Sequence, residues 1–459
     1  MNVQKTQREK AYEVLNRSLL KYNGKVVGTV AATDPALVAP NYQECFVRDF
    51  VPSALVFLLN SQADIIKNFL ELVLELKDQQ RVMAGHQHAL GLLPASFKVT
   101  RTKKGKENIQ ADFGDRAIGR VAPVDSALWW MILLHAYSKT TNDMSLAHSP
   151  NFQEGIRLIL ELYLKESFET SPAMLVPDGC FMIDRRMGVY GHPLEIQALF
   201  YGMLYTAQEL LIDNDINRSM RQIVDKRLQT LRSYVRIYYW LDIERLNEIH
   251  RLKTEEFGHE AVNVLNIYPE IIPDWIDGWL SNRSGYLVGN LGAGRMDFRF
   301  FSFGNLLSIL FGLATDFEAQ KIMNLFEERW DELIGEMPLK ILYPAASGER
   351  WAWVTGKDPK NAPWSYHNGG SWPCLLWAFV SSAIYSGRED LAQRAAEIAR
   401  KRLVKDEWPE YYDGKKGSLV GRRANYYQTW TATSYIISDL LLHNPQSLEK
   451  FRSLMFNSK

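Results

Sequence analysis

The sequence predicts an all-α fold: an (α/α)6 barrel of two nested helix rings, with long loops forming a pocket at one end. Three observations predict it. About a dozen stretches carry helical periodicity, while convincing strand alternation is scarce. Several of those stretches are apolar nearly all round and others along one stripe, which sorts them into an interior and an exterior set. No Ser/Gly-rich or Pro-rich linker divides the 459 residues, and no repeat of roughly 20–50 residues marks a solenoid. The chain therefore reads as a single domain over residues 1–459. A large α-bundle is the fallback arrangement.

The first helix is expected near residues 7–20. Ile65, Phe69, Leu72, Val73 and Leu76 fall at i, i+4, i+7, i+8 and i+11, one face of an amphipathic helix. The run ALWWMILLHAY at 127–137, inside a helical stretch at 125–138, is apolar all round and reads as interior. Further stretches follow at 154–165, 194–211, 219–240, 303–314, 317–334 and 390–403. Leu376, Phe379, Val380 and Ala383 repeat the stripe, as do Trp430, Thr433, Ile437, Leu440 and Leu441. Short extended pieces are expected at Lys25–Ala31, Ala95–Lys98 and Gly285–Gly289. Gly, Pro and Asn clusters such as GHP (191–193) and SYHNGGSWP (365–373) punctuate helix ends.

Composition excludes several classes. Lys+Arg and Asp+Glu are 53 each, so no bulk positive charge is available to neutralise phosphates, and no nucleic-acid partner is expected. Hydrophobic residues at 46% exclude a disordered chain. Cys45, Cys180 and Cys374 lie far apart with no CxxC pair, which argues against a disulfide framework or zinc site and for a reducing compartment. The N-terminus is too charged for a secretory signal, and no apolar run approaches the ~18 residues of a membrane span. A cytoplasmic protein without a membrane partner is expected.

The chemistry sits where aromatic and polar residues interleave: NYQECFVRDF (41–50), MIDRRMGVYGHPLEIQ (182–197), RMDFRFF (295–301), PWSYHNGGSW (363–372), EWPEYYDG (407–414) and YYQTW (426–430). Flat rings pack on the C–H face of a sugar while amides, guanidiniums and carboxylates bond its hydroxyls. Any one Trp or Tyr is as easily a core residue with a satisfied polar tip. Six such runs in one chain favour convergence on a ligand. Glycosidic hydrolysis takes two carboxyl groups, and Asp184 in IDRR and Glu410 in WPEYYD stand in these runs. Asp184 beside Arg185 and Arg186 also reads as a salt-bridged structural residue, and the cations lower its pKa unless burial or a carboxylate such as Glu195 offsets them. Glu410, between Trp408 and Tyr411, has the more apolar setting. On these grounds the acid and base roles run either way.

Other site classes score poorly. His86 and His88 lack a carboxylate partner for a metal. GVYGHP and GNLGAG have neither the lysine nor the frame of a phosphate loop, and no GxSxG elbow is present.

Taken in order, VGTVAATDP (27–35), FVRDFVPSALVFLLN (46–60), DFGDRAIGRVAPVDSALWW (112–130), CFMIDRRMGVYGHPLEIQALFY (180–201), MDFRFFSFGNLLSI (296–309), DPKNAPWSYHNGGSWP (358–373) and DEWPEYYDG (406–414) resemble the alkaline/neutral invertases of plants and cyanobacteria, glycoside hydrolase family 100. The likeness runs from about Tyr12 to Asn444 and is that of a compact form without the N-terminal extension of organellar plant members. The resemblance implies an (α/α)6 barrel that hydrolyses sucrose to glucose and fructose, needs no metal or cofactor, and forms homo-oligomers, a hexamer among the options. It implies Asp184 as general acid and Glu410 as general base in an inverting route.

Asp49, Asp297 and Glu195 are then candidates to steady positive charge. Arg48, Arg185, His192, Gln197, His367 and Gln428 are candidates to bond hydroxyls. Phe50, Trp129, Trp372, Trp408, Tyr411, Tyr412 and Trp430 are expected as walls. The alternatives are a sugar epimerase or lyase on the same fold, using a His or Tyr base, and a non-catalytic sugar-binding scaffold.

Overall fold

The computed structural model describes residues 6–36, 40–77, 82–83, 87–115, 122–164, 172–176, 179, 181–183, 185–251, 267–292, 295–420 and 424–454. In chain order the first part holds α1 (Gln7–Arg17), β1 (Leu19–Tyr22), β2 (Lys25–Thr29), β3 (Cys45–Phe46), α2 (Val47–Leu59), α3 (Ala63–Glu75), β4 (Val82–Met83), β5 (Gln87–His88), β6 (Ser96–Arg101), β7 (Glu107–Asp112), α4 (Ser126–Thr141) and α5 (Pro150–Tyr163). Next come β8 (His192–Pro193), α6 (Leu194–Leu210), α7 (Arg218–Tyr239), β9 (Trp240–Asp242), α8 (Ile243–Arg251), β10 (Gly285–Gly292), β11 (Arg295–Phe301) and α9 (Ser302–Leu310). The last part holds α10 (Asp316–Glu328), α11 (Trp330–Leu333), β12 (Leu342–Tyr343), α12 (Gly348–Thr355), α13 (Leu376–Tyr385), α14 (Glu389–Arg402), α15 (Thr429–His443) and α16 (Pro445–Leu454).

The fully apolar helices pack on one another in sequence. α2 contacts α4, α4 contacts α6, α6 contacts α9, α9 contacts α13, α13 contacts α15, and α15 returns to α2. Burial explains the sorting: α4 is buried continuously from Ser126 to Ser138 and α13 from Leu376 to Ile384. The amphipathic helices lie outside. α1 packs on α15, α3 on α2 and α4, α7 on α6, α10 on α9, and α14 on α13 and α15. Trp130 of α4 stacks on Phe152 of α5 with centroids 5.5 Å apart. α7 buries only Val224, Arg227, Leu231, Val235 and Tyr239, one stripe at helical spacing. Capping boxes start α1 (Thr6 with Glu9) and α10 (Thr315 with Glu318).

The fold departs from the sequence reading in several places, among them α8, α12 and α16, which were not expected. A mixed-length antiparallel sheet runs β12-β11-β10-β8, with β9 also on β10, so strand content exceeds the expectation. The stretch 317–334 breaks at Arg329, whose φ of −113° and ψ of 37° separate α10 from α11. α2 was not among the expected helices because Pro52 sits inside it, yet eleven of its residues are buried.

One buried ion pair ties the sheet to the outer helices. Lys321 Nζ of α10 donates to Asp242 Oδ2 at 2.8 Å, and Trp240 Nε1 and the Arg245 amide also donate to that carboxylate. Lys321→Met leaves Asp242 buried without its cation, so the variant is expected to lose about 3–5 kcal/mol in urea unfolding.

Candidate active site

Backbone ladders outside the regular elements build the site. Residues 31–33 lie between two neighbours: Ala31 and Ala32 amides donate to the Glu44 and Tyr42 carbonyls, while the Thr33 amide donates to Tyr427 and the Thr429 amide to Ala31. Residues 407–412 run beside 425–428 on one edge, through Glu410 N–H to Asn425, Tyr427 N–H to Glu407 and Gln428 N–H to Trp408. On the other edge Ser371 and Tyr412 exchange backbone hydrogen bonds. Glu407 and Trp408 both have left-handed backbones, φ 58° and 55°, as do Trp364, Tyr366 and Tyr427. Such conformations cost of order 1–3 kcal/mol each and gather where surrounding structure over-determines the chain.

The ladders place Glu410 deep in the molecule, 2% exposed. The Tyr42 hydroxyl donates to Oε1 at 2.6 Å, and the Asn425 side-chain amide and backbone N–H approach Oε2 at 3.2 and 3.4 Å. Burial and the Glu410 charge hold the Tyr42 phenol well above its ordinary pKa, so it stays a donor. Neither Tyr42 nor Asn425 was singled out from the sequence. Tyr42 carried a signal only as a member of the run at 41–50, and Asn425, just before the run at 426–430, carried none.

The first turn of α2 adds Arg48 and Asp49. Arg48 Nη1 donates to Asp125 Oδ2 at 2.7 Å, and Nε lies 3.9 Å from Asp49 Oδ1. Burial pushes the Asp49 carboxyl up to about 7, opposed by Arg48 and assisted by the Glu410 and Asp125 charges. Burial also raises Asp125, against Arg48. Glu195, in the first turn of α6, is pushed up to about 8 by burial, opposed by the Met182 amide and Arg48 and helped by Asp125. Asp49, Asp125 and Glu195 thus share the field of one guanidinium, and Glu410 also bears on Asp49. Burial and the crowding of carboxyl groups both favour the protonated form.

An aromatic group flanks Glu410. Trp372 stacks on Tyr411 at 5.4 Å and meets Trp430 edge-on at 5.8 Å. His367 stacks on Tyr366 at 3.9 Å and tilts against Trp372 at 4.9 Å. Its pKa falls well below the ordinary value through burial, with Lys360, Arg48 and Arg186 adding to the effect, so it is neutral at pH 7. Both amide atoms of Gln428 and the indole N–H groups of Trp129 and Trp430 are buried without a partner among the described residues. Buried polar atoms of this kind point to water or a ligand. Arg48, Trp129, Met182, Cys374 and Trp430 also line a cavity of about 20 Å³, enough for one water.

Other expected residues are engaged elsewhere. Phe50 packs on Phe69 at 4.3 Å, between α2 and α3, and forms no wall with the rings around Glu410. Tyr412 donates to Asp406 at 3.0 Å with Arg402 over its ring. Trp408 packs on Tyr435 of α15 at 5.6 Å. Asp297 is clasped by the Arg299 guanidinium: burial works to raise its pKa, but Arg299 and Arg350 outweigh it and lower the value. Gln197 bonds the backbone of Met174. His192 is half-buried and 3.3 Å from the Leu291 carbonyl. The Gly191 turn before it has φ 110°, and a Cβ there would meet the Leu291 oxygen at 2.4 Å, so only glycine fits. Asp184, Cys180 and His86 lie outside the described residues, as do the side chains of Arg185 and His88. Among the described residues no group of His, Cys, Asp or Glu could hold a metal ion, and no helix is long and apolar enough to cross a membrane.

The model of the alkaline and neutral invertase family matches residues 11–445. The chain is 51% identical over 449 residues to the mitochondrial neutral/alkaline invertase 1 of Oryza sativa subsp. japonica, covering 96% of this chain and 72% of that protein. It is 50% identical to cytosolic invertase 1 of the same plant, covering 95% and 78%. Among solved structures it resembles a GH63 mannosylglycerate hydrolase from Thermus thermophilus in complex with glucose, with TM-score 0.56, 14% identity and coverage of 94% and 99%. It also resembles a wild-type glycosidase with TM-score 0.56, 13% identity and coverage of 95% and 96%. At such identities these structures speak for the fold alone.

Proposed function

The chain belongs to the alkaline and neutral invertase family, and from that membership we propose how its residues hydrolyse sucrose to glucose and fructose. Asp184 is the general acid and Glu410 the general base. Asp184 gives a proton to the bridging oxygen while Glu410 takes one from the water that attacks the anomeric carbon on the opposite face. The observation that carries this reading is the environment of Glu410: a buried carboxylate, oriented on both oxygens, beside raised-pKa carboxyl groups and stacked aromatics. Asp49 and Arg48 bond hydroxyls, and Gln428 and Trp430 direct unpartnered polar atoms at the sugar. Trp372 and Tyr411 form its platform.

The helices make up an (α/α)6 barrel, with α2, α4, α6, α9, α13 and α15 as the inner ring. Residues 1–459 form one catalytic domain that works in the cytoplasm as a homo-oligomer. The inverting route places the two carboxyl groups roughly 6.5–9.5 Å apart, leaving room for water.

The test is incubation of the protein with sucrose in water enriched in oxygen-18. Released reducing sugar carries the label at the attacked anomeric carbon, and NMR at early times shows the inverted anomer. Sugar-induced thermal stabilisation without hydrolysis would instead favour a binding scaffold. Tyr42→Phe removes a charge-assisted hydrogen bond worth about 1.5–3 kcal/mol. It is expected to lower kcat roughly ten- to hundredfold while KM stays close to wild type. A steady-state comparison on sucrose checks this.

A further inference from the structure

Two side chains of the first turn of α6 reach for backbone rather than open space. The Met174 N–H donates to Gln197 Oε1 at 2.7 Å, and Gln197 Nε2 donates to the Met174 carbonyl at 2.9 Å. The Met182 N–H donates to Glu195 Oε1 at 3.0 Å. Val176 and Gly191 exchange backbone hydrogen bonds at 2.6 and 3.1 Å. The chain approaching Asp184 is thus held at Met174, Val176 and Met182, and the last hold lies two residues before Asp184 in sequence. Glu195 is 1% exposed, and its Oε2 meets no partner among the described residues. An ionised oxygen left bare in that setting is far costlier than a carboxylic acid.

We propose that Glu195 is a positioning residue: an uncharged carboxylic acid that grips the Met182 N–H through its carbonyl oxygen and sets the segment carrying the general acid, without touching the sugar. The proposal rests on the role given above to Asp184. A neutral group here fixes the loop without adding a second negative charge, which would make Asp184 harder to deprotonate during the proton transfer it must perform.

The charged groups that bear on Glu195 are Arg48 of α2 and Asp125 at the start of α4. Of the other elements packed on α6, α9 has no ionisable side chain, and β10 has only the Tyr286 phenol, which donates to the Phe298 carbonyl. β8 brings His192, turned to Leu291, and the α7 arginines Arg232 and Arg236 bear on Tyr201, further along α6.

The experiment compares wild type with Glu195→Gln and Glu195→Ala. Glutamine keeps the carbonyl acceptor without a charge, so Glu195→Gln is expected to match wild-type kcat and KM near neutral pH and to lose any alkaline decline that follows Glu195 ionisation. Glu195→Ala releases the Met182 hold, and kcat is expected to fall about a hundredfold with KM little changed, as for a misplaced catalytic group. A Glu195→Gln variant as impaired as Glu195→Ala would overturn the proposal, because the charge would then matter. So would an Ala variant with wild-type turnover.

A second measurement is independent of catalysis. The folded state keeps a proton that the unfolded chain releases near its ordinary pKa of about 4.3. Wild type should therefore lose stability relative to Glu195→Gln as pH rises from there to about 8, and the gap should then level off. A gap that does not vary with pH refutes the uncharged assignment. If wild type fails on sucrose, the reaction assigned above falls while this unfolding comparison still decides the protonation of Glu195.

Discussion

Glu410→Gln and Asp184→Asn are each expected to lower kcat on sucrose by about a hundred- to ten-thousandfold, the range removed with a general acid or base. Both substitutions are nearly isosteric. Tyr42 and Asn425 still surround position 410, so thermal unfolding should stay near wild type and separate lost chemistry from lost fold. Two substrates tell the roles apart. A glycosyl fluoride carries a leaving group that needs little protonation, so the Asp184→Asn defect shrinks on it and the Glu410→Gln defect does not. Azide needs no base to attack, so it restores turnover to Glu410→Ala, with a glycosyl azide of inverted configuration as product, and not to an acid-deficient variant. Wild-type turnover in either single variant would refute that residue's role.

Arg48→Met has the second largest expected effect, and it shows in stability as well as rate. The guanidinium bonds Asp125 at 2.7 Å and lowers the pKa of Asp49, Asp125 and Glu195 against the pull of burial. Without it those carboxyl groups hold their protons more tightly. A carboxyl whose folded pKa is raised favours the fold below its unfolded pKa, and that contribution disappears as pH rises through the folded value. The variant should therefore lie closest to wild type near pH 5 and furthest from it above pH 8. The loss at the alkaline end is about 3–5 kcal/mol, the cost of stranding buried charge. Urea unfolding at the two pH values checks the sign. A deficit of equal size at both would mean that Arg48 acts through packing alone.

The helical plan was legible because burial leaves a direct mark on spacing: α3 and α4 fall where Ile65–Leu76 and ALWWMILLHAY place them. α2 was hidden by Pro52, whose local cost is outweighed by the burial of the helix around it. The sheet was hidden for a different reason. In β11, Met296, Phe298 and Phe300 alternate with Asp297 and Arg299, but the same letters also read as a sugar-binding run, and Asp297 proved to be bound by an arginine two residues away. At the candidate site, the aromatic-polar runs named Arg48, Trp372 and Tyr411, whereas the role of Glu410 came from the family resemblance, because residue type alone does not separate it from the other carboxylates. Residue type did not announce Tyr42, whose contact with Glu410 closes over most of the chain, or Asn425, whose contact depends on how the chain folds back over 15 residues. Nor did composition separate Tyr411 from its neighbour Tyr412, whose hydroxyl donates to Asp406 instead.

The hydrogen bond from Tyr42 to Glu410 spans 368 residues, and α15 closes the circuit onto α2 and α1. A ribosome must therefore deliver nearly the entire polypeptide before the contact between Tyr42 and Glu410 can close. Nascent chains halted before Thr429 lack α15 and are expected to be inactive however well their earlier helices are formed. The late closure of so distant a contact is expected to make folding slow relative to a bundle of local hairpins.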